Sequence, residues 1–437
     1  MTEINVDFSK KLGRIKPMHA VNNGPVMARK DQTRGNNISY KEARIPYARN
    51  HDAAFWSGYG GEHTVDVLNI FPNFDADPED PASYDFVLTD RYITETLECG
   101  TETFYRLGAK IEHTPIKYHI FPPKDYKKYA VICEHIIRHM NYGWANGHHF
   151  GITYWEIWNE PENNDPVNPL CWAGTDEQFF DFYEVMAKHL KSRFPELKIG
   201  GPSSCGDIAW KERFLSEMKK RNVPMDFFSW HIYHTQTETV TDLADSVHDV
   251  MVRTGYGDAE SILNEWNYVK GWSGPIFGES IMHIIGIKGA AFEADVMIRS
   301  HHHPVDMLMY YDARPTAFNG LWNYYDYKPL KGYYPICMFA DLYALGTEVE
   351  TAEVTDGVSA LAATDGEKGA IMLAYYTDDD EAIEEKTVSV NVGGLDFTKA
   401  EICLVDKDNT NVKKTVDLSD GLTVTMKPRS FVLISLS

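Results

Sequence analysis

Eight short runs rich in β-branched and aromatic residues, at 14–21, 43–52, 102–109, 154–160, 198–204, 226–233, 261–267 and 305–312, alternate with longer segments of helical period. That alternation is the pattern of a sheet assembled from βα units. Between the runs, Tyr129, Ile132, Cys133, Ile136, Ile137 and Met140 form one apolar stripe at helical spacing; Phe179, Tyr183, Met186, Ala187, Leu190 and Phe194 form another. Eight strand–helix repeats predict an α/β fold, a (β/α)8 (TIM) barrel over 14–347, because such barrels run from roughly 250 residues to beyond 400 with insertions. A doubly wound open sheet would carry a GxGxxG turn after its first strand, and this chain has none.

After Gly346 the pattern changes. Alternating runs at 370–376, 387–392, 422–426 and 430–436 are separated by turn-like stretches at 364–366, 378–380, 406–411 and 419–421. They predict a C-terminal all-β sandwich domain over 348–437, with the N-terminal segment 1–13 a candidate to join it. It has few convergent His, Glu or aromatic residues, so the expectation is a buttress for the barrel. With 42 Lys+Arg against 64 Asp+Glu the chain carries a formal charge of −22, which argues against a nucleic-acid or anionic-membrane surface and favours a neutral, polar partner. No run reaches the ~18 apolar residues of a membrane span. The first residues, MTEINVDFSKKLG, hold no signal-like apolar stretch, and six scattered cysteines without a CxxC pair read as free thiols. Together these point to a cytoplasmic protein, and a homo-oligomer is compatible with them.

In a barrel of this kind the chemistry sits where the strands end. The second run closes on Arg49, Asn50, His51 and Asp52, the fourth on Asn159 and Glu160, the sixth on His231, Tyr233 and His234, the seventh on Asn264 and Glu265, and the eighth on Tyr310, Tyr311 and Asp312. Glu160 and Glu265 follow strands on opposite sides of the mouth. Two carboxylates facing across a cleft are what glycosidic cleavage needs, one to protonate the leaving oxygen and one to meet positive charge at the anomeric carbon. Trp and Asn flank both glutamates, and these residues suit stacking on a sugar face and bonding its hydroxyls.

The segment YWEIWNEPE (154–162) looks like the acid/base segment of the clan A glycoside hydrolases. Together with FSWHIY (228–233) and ILNEWN (262–267), it makes the chain resemble glycoside hydrolase family 39, whose members include β-xylosidases and α-L-iduronidases built as a TIM barrel followed by a β-sandwich. The resemblance implies Glu160 as general acid/base, Glu265 as nucleophile and Asn159 as partner of the sugar 2-hydroxyl. It also implies Arg49 beside the nucleophile, His51 on the glycone, and His231 with Tyr233 at the end of the sixth strand, the tyrosine holding the nucleophile's carboxylate. A cation and a hydroxyl donor there would hold Glu265 below its ordinary pKa, whereas Glu160, walled by Trp158 and facing a like charge, should titrate above its own.

The eighth strand departs from the WTFSD-like pattern of the β-xylosidase members. It reads Met309-Tyr310-Tyr311-Asp312-Ala313-Arg314-Pro315, with Trp322 shortly after. Tyr311 and Trp322 are expected either to border the glycone pocket or to pack beneath the sandwich. His301, His302 and His303 are consecutive and do not converge on one ion, and the acidic loop 71–85 lacks the EF-hand order and is expected to line the cleft. No metal and no cofactor are expected. The expected function is a retaining exo-glycosidase acting by double displacement on short plant-type oligosaccharides or glycosides (xyloside, arabinoside, glucoside or galactoside). An endo-acting glycanase and a catalytically idle carbohydrate-binding barrel are the alternatives.

Overall fold

The strand β1 (Thr2–Arg14) precedes eight parallel strands that close into a barrel in chain order: β2 (Ala20–Asn22), β3 (Tyr47–Asn50), β4 (Glu102–Leu107), β5 (Tyr154–Ile157), β6 (Lys198–Ser204), β7 (Phe227–His234), β8 (Glu260–Tyr268) and β9 (Met307–Tyr310). The computed structural model describes residues 2–26, 35–53, 63–316 and 318–437. Each run expected from sequence overlaps one barrel strand. The first needs correcting, since Arg14 ends β1 in another sheet and only Ala20–Asn22 enters the barrel.

Side chains alternate across the barrel wall. Phe104, Tyr154, Phe227, Ile262, Met307 and Met309 point inward and fill the base, while Tyr105, Trp155, Ile157 and Leu263 point out against the helices. The helices Tyr126–Tyr142 and Asp176–Arg193 bury the two apolar stripes read from sequence. The Asp125 carboxylate accepts from Lys128 N at the start of the first, and Thr175 with Gln178 forms a reciprocal cap at the start of the second. Among the described residues no helix is long and apolar enough to cross a membrane.

Two irregularities interrupt this alternation. On β8, Trp230 pairs with Leu263 but His231 pairs with Glu265, so the strand carries one extra residue at Asn264. On β6, Gly201 pairs with Phe228 and Ser204 with Trp230, which places another extra residue near Ser203. Such bulges re-aim side chains locally, and both lie at the level of the candidate site.

Gly346, at φ 83°, ends the helix Tyr333–Leu345 in a left-handed turn that leads into the second sheet. Its strands are β10 (Thr347–Thr351), β11 (Val354–Thr355), β12 (Val358–Thr364), β13 (Gly369–Tyr375), β14 (Lys386–Gly393), β15 (Lys399–Val405), β16 (Val412–Asp417), β17 (Thr423–Met426) and β18 (Ser430–Leu436). The order is β16-β15-β18-β13-β12-β10-β1-β14-β17, with β11 beside β12. The N-terminal strand β1 runs antiparallel to β10 and parallel to β14. Ile4, Val6 and Phe8 of β1 share one apolar core with Ile371, Leu373, Val388, Val432 and Ile434.

The consecutive histidines at the end of the helix Ile287–His301 fasten this sheet to the barrel. His301 Nε2 lies 3.1 Å and His302 Nδ1 3.4 Å from the carboxylate of Glu348, while His303 Nδ1 turns to Asp245 at 2.9 Å. In the acidic loop, Asn73, Asp77 and Asp80 accept from backbone N–H groups of their own turns. Its last residue, Asp85, lines a cavity of about 550 Å³ with His63, Lys110 and Glu112.

Candidate active site

Above the apolar base of the barrel lies a polar layer centred on Arg49, whose side chain is fully buried. Its Nε donates to Glu156 Oε2 at 2.6 Å and its Nη1 to Glu265 Oε1 at 2.7 Å and Asn22 Oδ1 at 3.0 Å. The Nη2 donates to Asn159 Oδ1 at 2.7 Å and Ser203 Oγ at 2.8 Å. The other oxygen of Glu156 accepts from Ser203, Ser229 and Asn264. A guanidinium between two carboxylates with its donors filled is the geometry in which a buried charge is tolerated.

The β8 bulge decides where Glu265 points. In strict alternation from the inward Ile262, Asn264 would face the barrel and Glu265 the helices. The extra residue lets both Asn264 and Glu265 face inward and returns Trp266 to the helix side. Glu160, just beyond β5, has φ 45°, and Trp158 has φ 72°. Non-glycine residues held there cost of order 1–3 kcal/mol each and cluster at functional sites.

The two glutamates meet across the mouth. One carboxylate oxygen from each, together with a ring nitrogen of His231, lie within 4.8 Å of one another. His231 Nδ1 is 2.7 Å from Glu160 Oε1 and 3.6 Å from Glu265 Oε2. Tyr233 donates its hydroxyl to Glu265 Oε2 at 2.8 Å, and Asn163 donates to Glu160 Oε2, also at 2.8 Å. Burial pushes Glu160 up to about 7 against the pull of Arg49. Burial also lowers His231 to about 4, so its imidazole is neutral at neutral pH. The expectation that Glu265 titrates below its ordinary value is not met: burial raises it, with His231 and Arg49 pulling the other way and Glu160 adding to the rise.

His51 belongs to the same cluster. Its Nδ1 accepts from Arg106 Nε at 3.3 Å, and its Nε2 lies 4.0 Å from Glu265 Oε1. Three buried nitrogens here, His51 Nε2, Asn159 Nδ2 and His231 Nε2, have no hydrogen-bond partner among the described residues. Buried polar groups are ordinarily paired, so these are atoms a hydroxyl-rich ligand would satisfy. Tyr311 stands beside the cluster, its hydroxyl donating to Asp52 and its ring edge-on to Tyr233. Trp322 does not join it. It is 1% exposed, stacks on Tyr40 at 5.5 Å and donates to Ser39 Oγ, so of the two uses expected of it the structure shows packing and not a place at the border of the site.

The profile of glycosyl hydrolases family 39 matches residues 3–257. The chain belongs to glycosyl hydrolases family 39. Among its relatives is a β-xylosidase of Caldicellulosiruptor saccharolyticus, 28% identical over 270 residues, a match covering 59% of this chain and 51% of that protein. A β-xylosidase of Geobacillus stearothermophilus is 32% identical over 182 residues, covering 38% of this chain and 34% of its own. The family 39 chain thus spans about half the length of the first of these relatives and a third of the second. A glucosidase structure from Croceicoccus marinus shares the fold at a TM-score of 0.77 with 20% identity, over 100% of this chain and 99% of that one.

Several site residues of this family 39 chain escape a reading of strand ends alone. Glu156 lies inside β5, four residues before Glu160, and only the inward phase of the strand marks it. Ser203 reaches Arg49 through the β6 bulge and a φ of 60°, which no local sequence pattern announces. Cys171 Sγ stands 3.8 Å from Glu160 Oε2. Trp272, 60% exposed, meets the Tyr233 ring edge-on at 4.9 Å and offers an aromatic face at the rim.

Proposed function

We propose that this protein is a retaining exo-glycosidase acting on short plant-type oligosaccharides or glycosides, with β-xylosides first among the candidates because two relatives carry the name β-xylosidase. The observation that carries the reading is that one carboxylate oxygen of Glu160 lies within 4.8 Å of one of Glu265, an approach that suits a retaining pair. Retaining pairs stand about 5–5.5 Å apart, whereas inverting pairs need roughly 6.5–9.5 Å to admit a water. In this reading Glu265, aligned by Arg49 and Tyr233, attacks the anomeric carbon while Glu160 protonates the leaving oxygen. Glu160 then takes a proton from water as that water displaces the sugar from Glu265. His51, Asn159 and His231 supply N–H groups to the sugar hydroxyls, and Tyr311 borders them.

A panel of nitrophenyl xylosides, glucosides, galactosides and arabinosides identifies the sugar, and proton NMR of the first product then reads its anomeric configuration. Retention is the expected result. Inversion would overturn double displacement, and release of internal fragments from a polymer would replace exo with endo action.

The pH profile follows from the same two groups. Activity needs Glu160 protonated and Glu265 ionised, so kcat/KM should fall on the alkaline side near pH 7, where Glu160 loses its proton. On the acid side it should fall above the ordinary carboxylate value, because burial raises Glu265 as well. The two limbs belong to a coupled pair. In Glu160→Gln, assayed with a dinitrophenyl glycoside, the alkaline limb should vanish and the acid limb persist. An unchanged alkaline limb would assign it to another group.

A further inference from the structure

On the outer helices, apart from the carboxylate pair, a second group of side chains converges. Asp90 of the helix Val87–Glu98, His139 of the helix Tyr126–Tyr142 and His148 of the following loop each offer one atom, and these atoms lie within 4.8 Å of one another. His139 Nε2 is 2.9 Å from Asp90 Oδ1, and His148 Nε2 is 3.3 Å from Asp90 Oδ2.

The hydrogen bond on the far side of His139 makes this more than an ion pair. His139 Nδ1 lies 2.9 Å from the carbonyl oxygen of Trp144, which can only accept, so Nδ1 carries the ring proton. In the neutral ring, Nε2 then presents a lone pair to a carboxylate oxygen, and a positive charge has to lie between them. A ligating histidine in metal sites shows this arrangement, with its second N–H tied to a backbone carbonyl. The ring stacks on Phe86 at 3.5 Å, and the Gly147 backbone approaches it so closely that a Cβ there would lie 2.7 Å from Nδ1. His148 is held likewise, stacked on Phe150 at 4.2 Å, with its backbone N–H on the His139 carbonyl at 2.7 Å.

We propose that Asp90, His139 and His148 bind a divalent cation of the zinc class as a structural staple between the two helices. Zinc bonds of about 2.0–2.2 Å to imidazole and carboxylate give tetrahedral edges of roughly 3.3–3.6 Å; His148 stands 3.3 Å from one Asp90 oxygen and His139 2.9 Å from the other, so shifts of tenths of an ångström bring the three ligands onto one ion. Two imidazoles and one carboxylate are a borderline donor set that suits Zn²⁺ over Mg²⁺ or Ca²⁺. His148 and Asp90 are part exposed, at 35% and 25%, so an ion can enter and water can complete its shell. The sequence holds part of this pattern, a His-x3-His spacing at His135 and His139, but His135 turns to Glu79 and Val131 instead.

The test uses the full chain, stripped with a chelator and titrated with Zn²⁺ by calorimetry, and with Co²⁺ as a visible spectroscopic probe. Asp90→Asn and His148→Ala should each lose one equivalent of Zn²⁺, or weaken its binding at least about tenfold. Both should lose the Co²⁺ band and the rise in melting temperature on adding Zn²⁺. His148→Ala removes a part-exposed ring, so its metal-free melting should stay near that of the parent. A parent that takes no Zn²⁺, or variants that take as many equivalents as the parent at equal affinity, would show that a proton holds the pair and would overturn the proposal.

Discussion

Replacing Glu265 by Ala is expected to remove turnover on every glycoside tested, whatever its leaving group. The loss should exceed the roughly 10²–10⁴-fold that general acid–base assistance contributes, because the neighbouring carboxylate of Glu156 is committed to Arg49, Ser203, Ser229 and Asn264 and is not free to take its place. Glu160→Ala should behave differently. A dinitrophenolate leaves without protonation, so the first step survives, and the glycosyl enzyme then accumulates because no base activates water. A pre-steady-state burst of dinitrophenol followed by slow turnover is the signature. Equal losses in the two variants on activated and unactivated substrates alike would leave the division of roles without support.

Arg49→Met should be the most damaging single change to stability within the barrel. The guanidinium is fully buried between Glu156 and Glu265, and removing one member of a buried ion pair typically costs about 3–5 kcal/mol by leaving the other uncompensated. Here two carboxylates would lose their cation together. Melting temperature should drop sharply at neutral pH and recover partly in acid, where the stranded carboxyls bind protons. Burial already raises Glu265 against the pull of Arg49, and without that cation it would rise further, so the penalty grows as pH climbs past its unfolded value. Arg49→Met/Glu156→Gln, with one stranded charge fewer, should regain part of the loss. A variant that melts like its parent at neutral pH would mean the cation is not holding this layer.

The barrel strands were legible in sequence because strands buried on both faces read as dense apolar runs, and the two catalytic candidates were legible because each closes such a run. What failed did so for geometric reasons. Alternation alone sends Glu265 outward, and only the extra residue at Asn264, visible in the pairing with β7, turns it in. Arg49 and Tyr233 could be named as neighbours of Glu265, but not the complete burial that outweighs them. Trp322 reads the same whether it borders a sugar or packs on Tyr40, since both uses want an aromatic ring. Asp90 and His139 are far apart in the chain, and only the fold brings them together.

The pairing of β1 ties together segments from opposite sides of the barrel in the chain. Thr2 to Asp7 sit in register with Val388 to Gly393, and Ile4, Val6 and Phe8 complete an apolar layer whose other members come from the last ninety or so residues. The partners of β1, β10 and β14, therefore follow all eight barrel strands in the chain, and the barrel can close while β1 waits for them. Until those partners are in place, β1 is an extended strand with bare edges, open to pairing with a neighbour's. The second sheet thus takes strands from both sides of the barrel segment, and docking of β1 between β10 and β14, not closure of the barrel, is the step that joins the two halves of this fold.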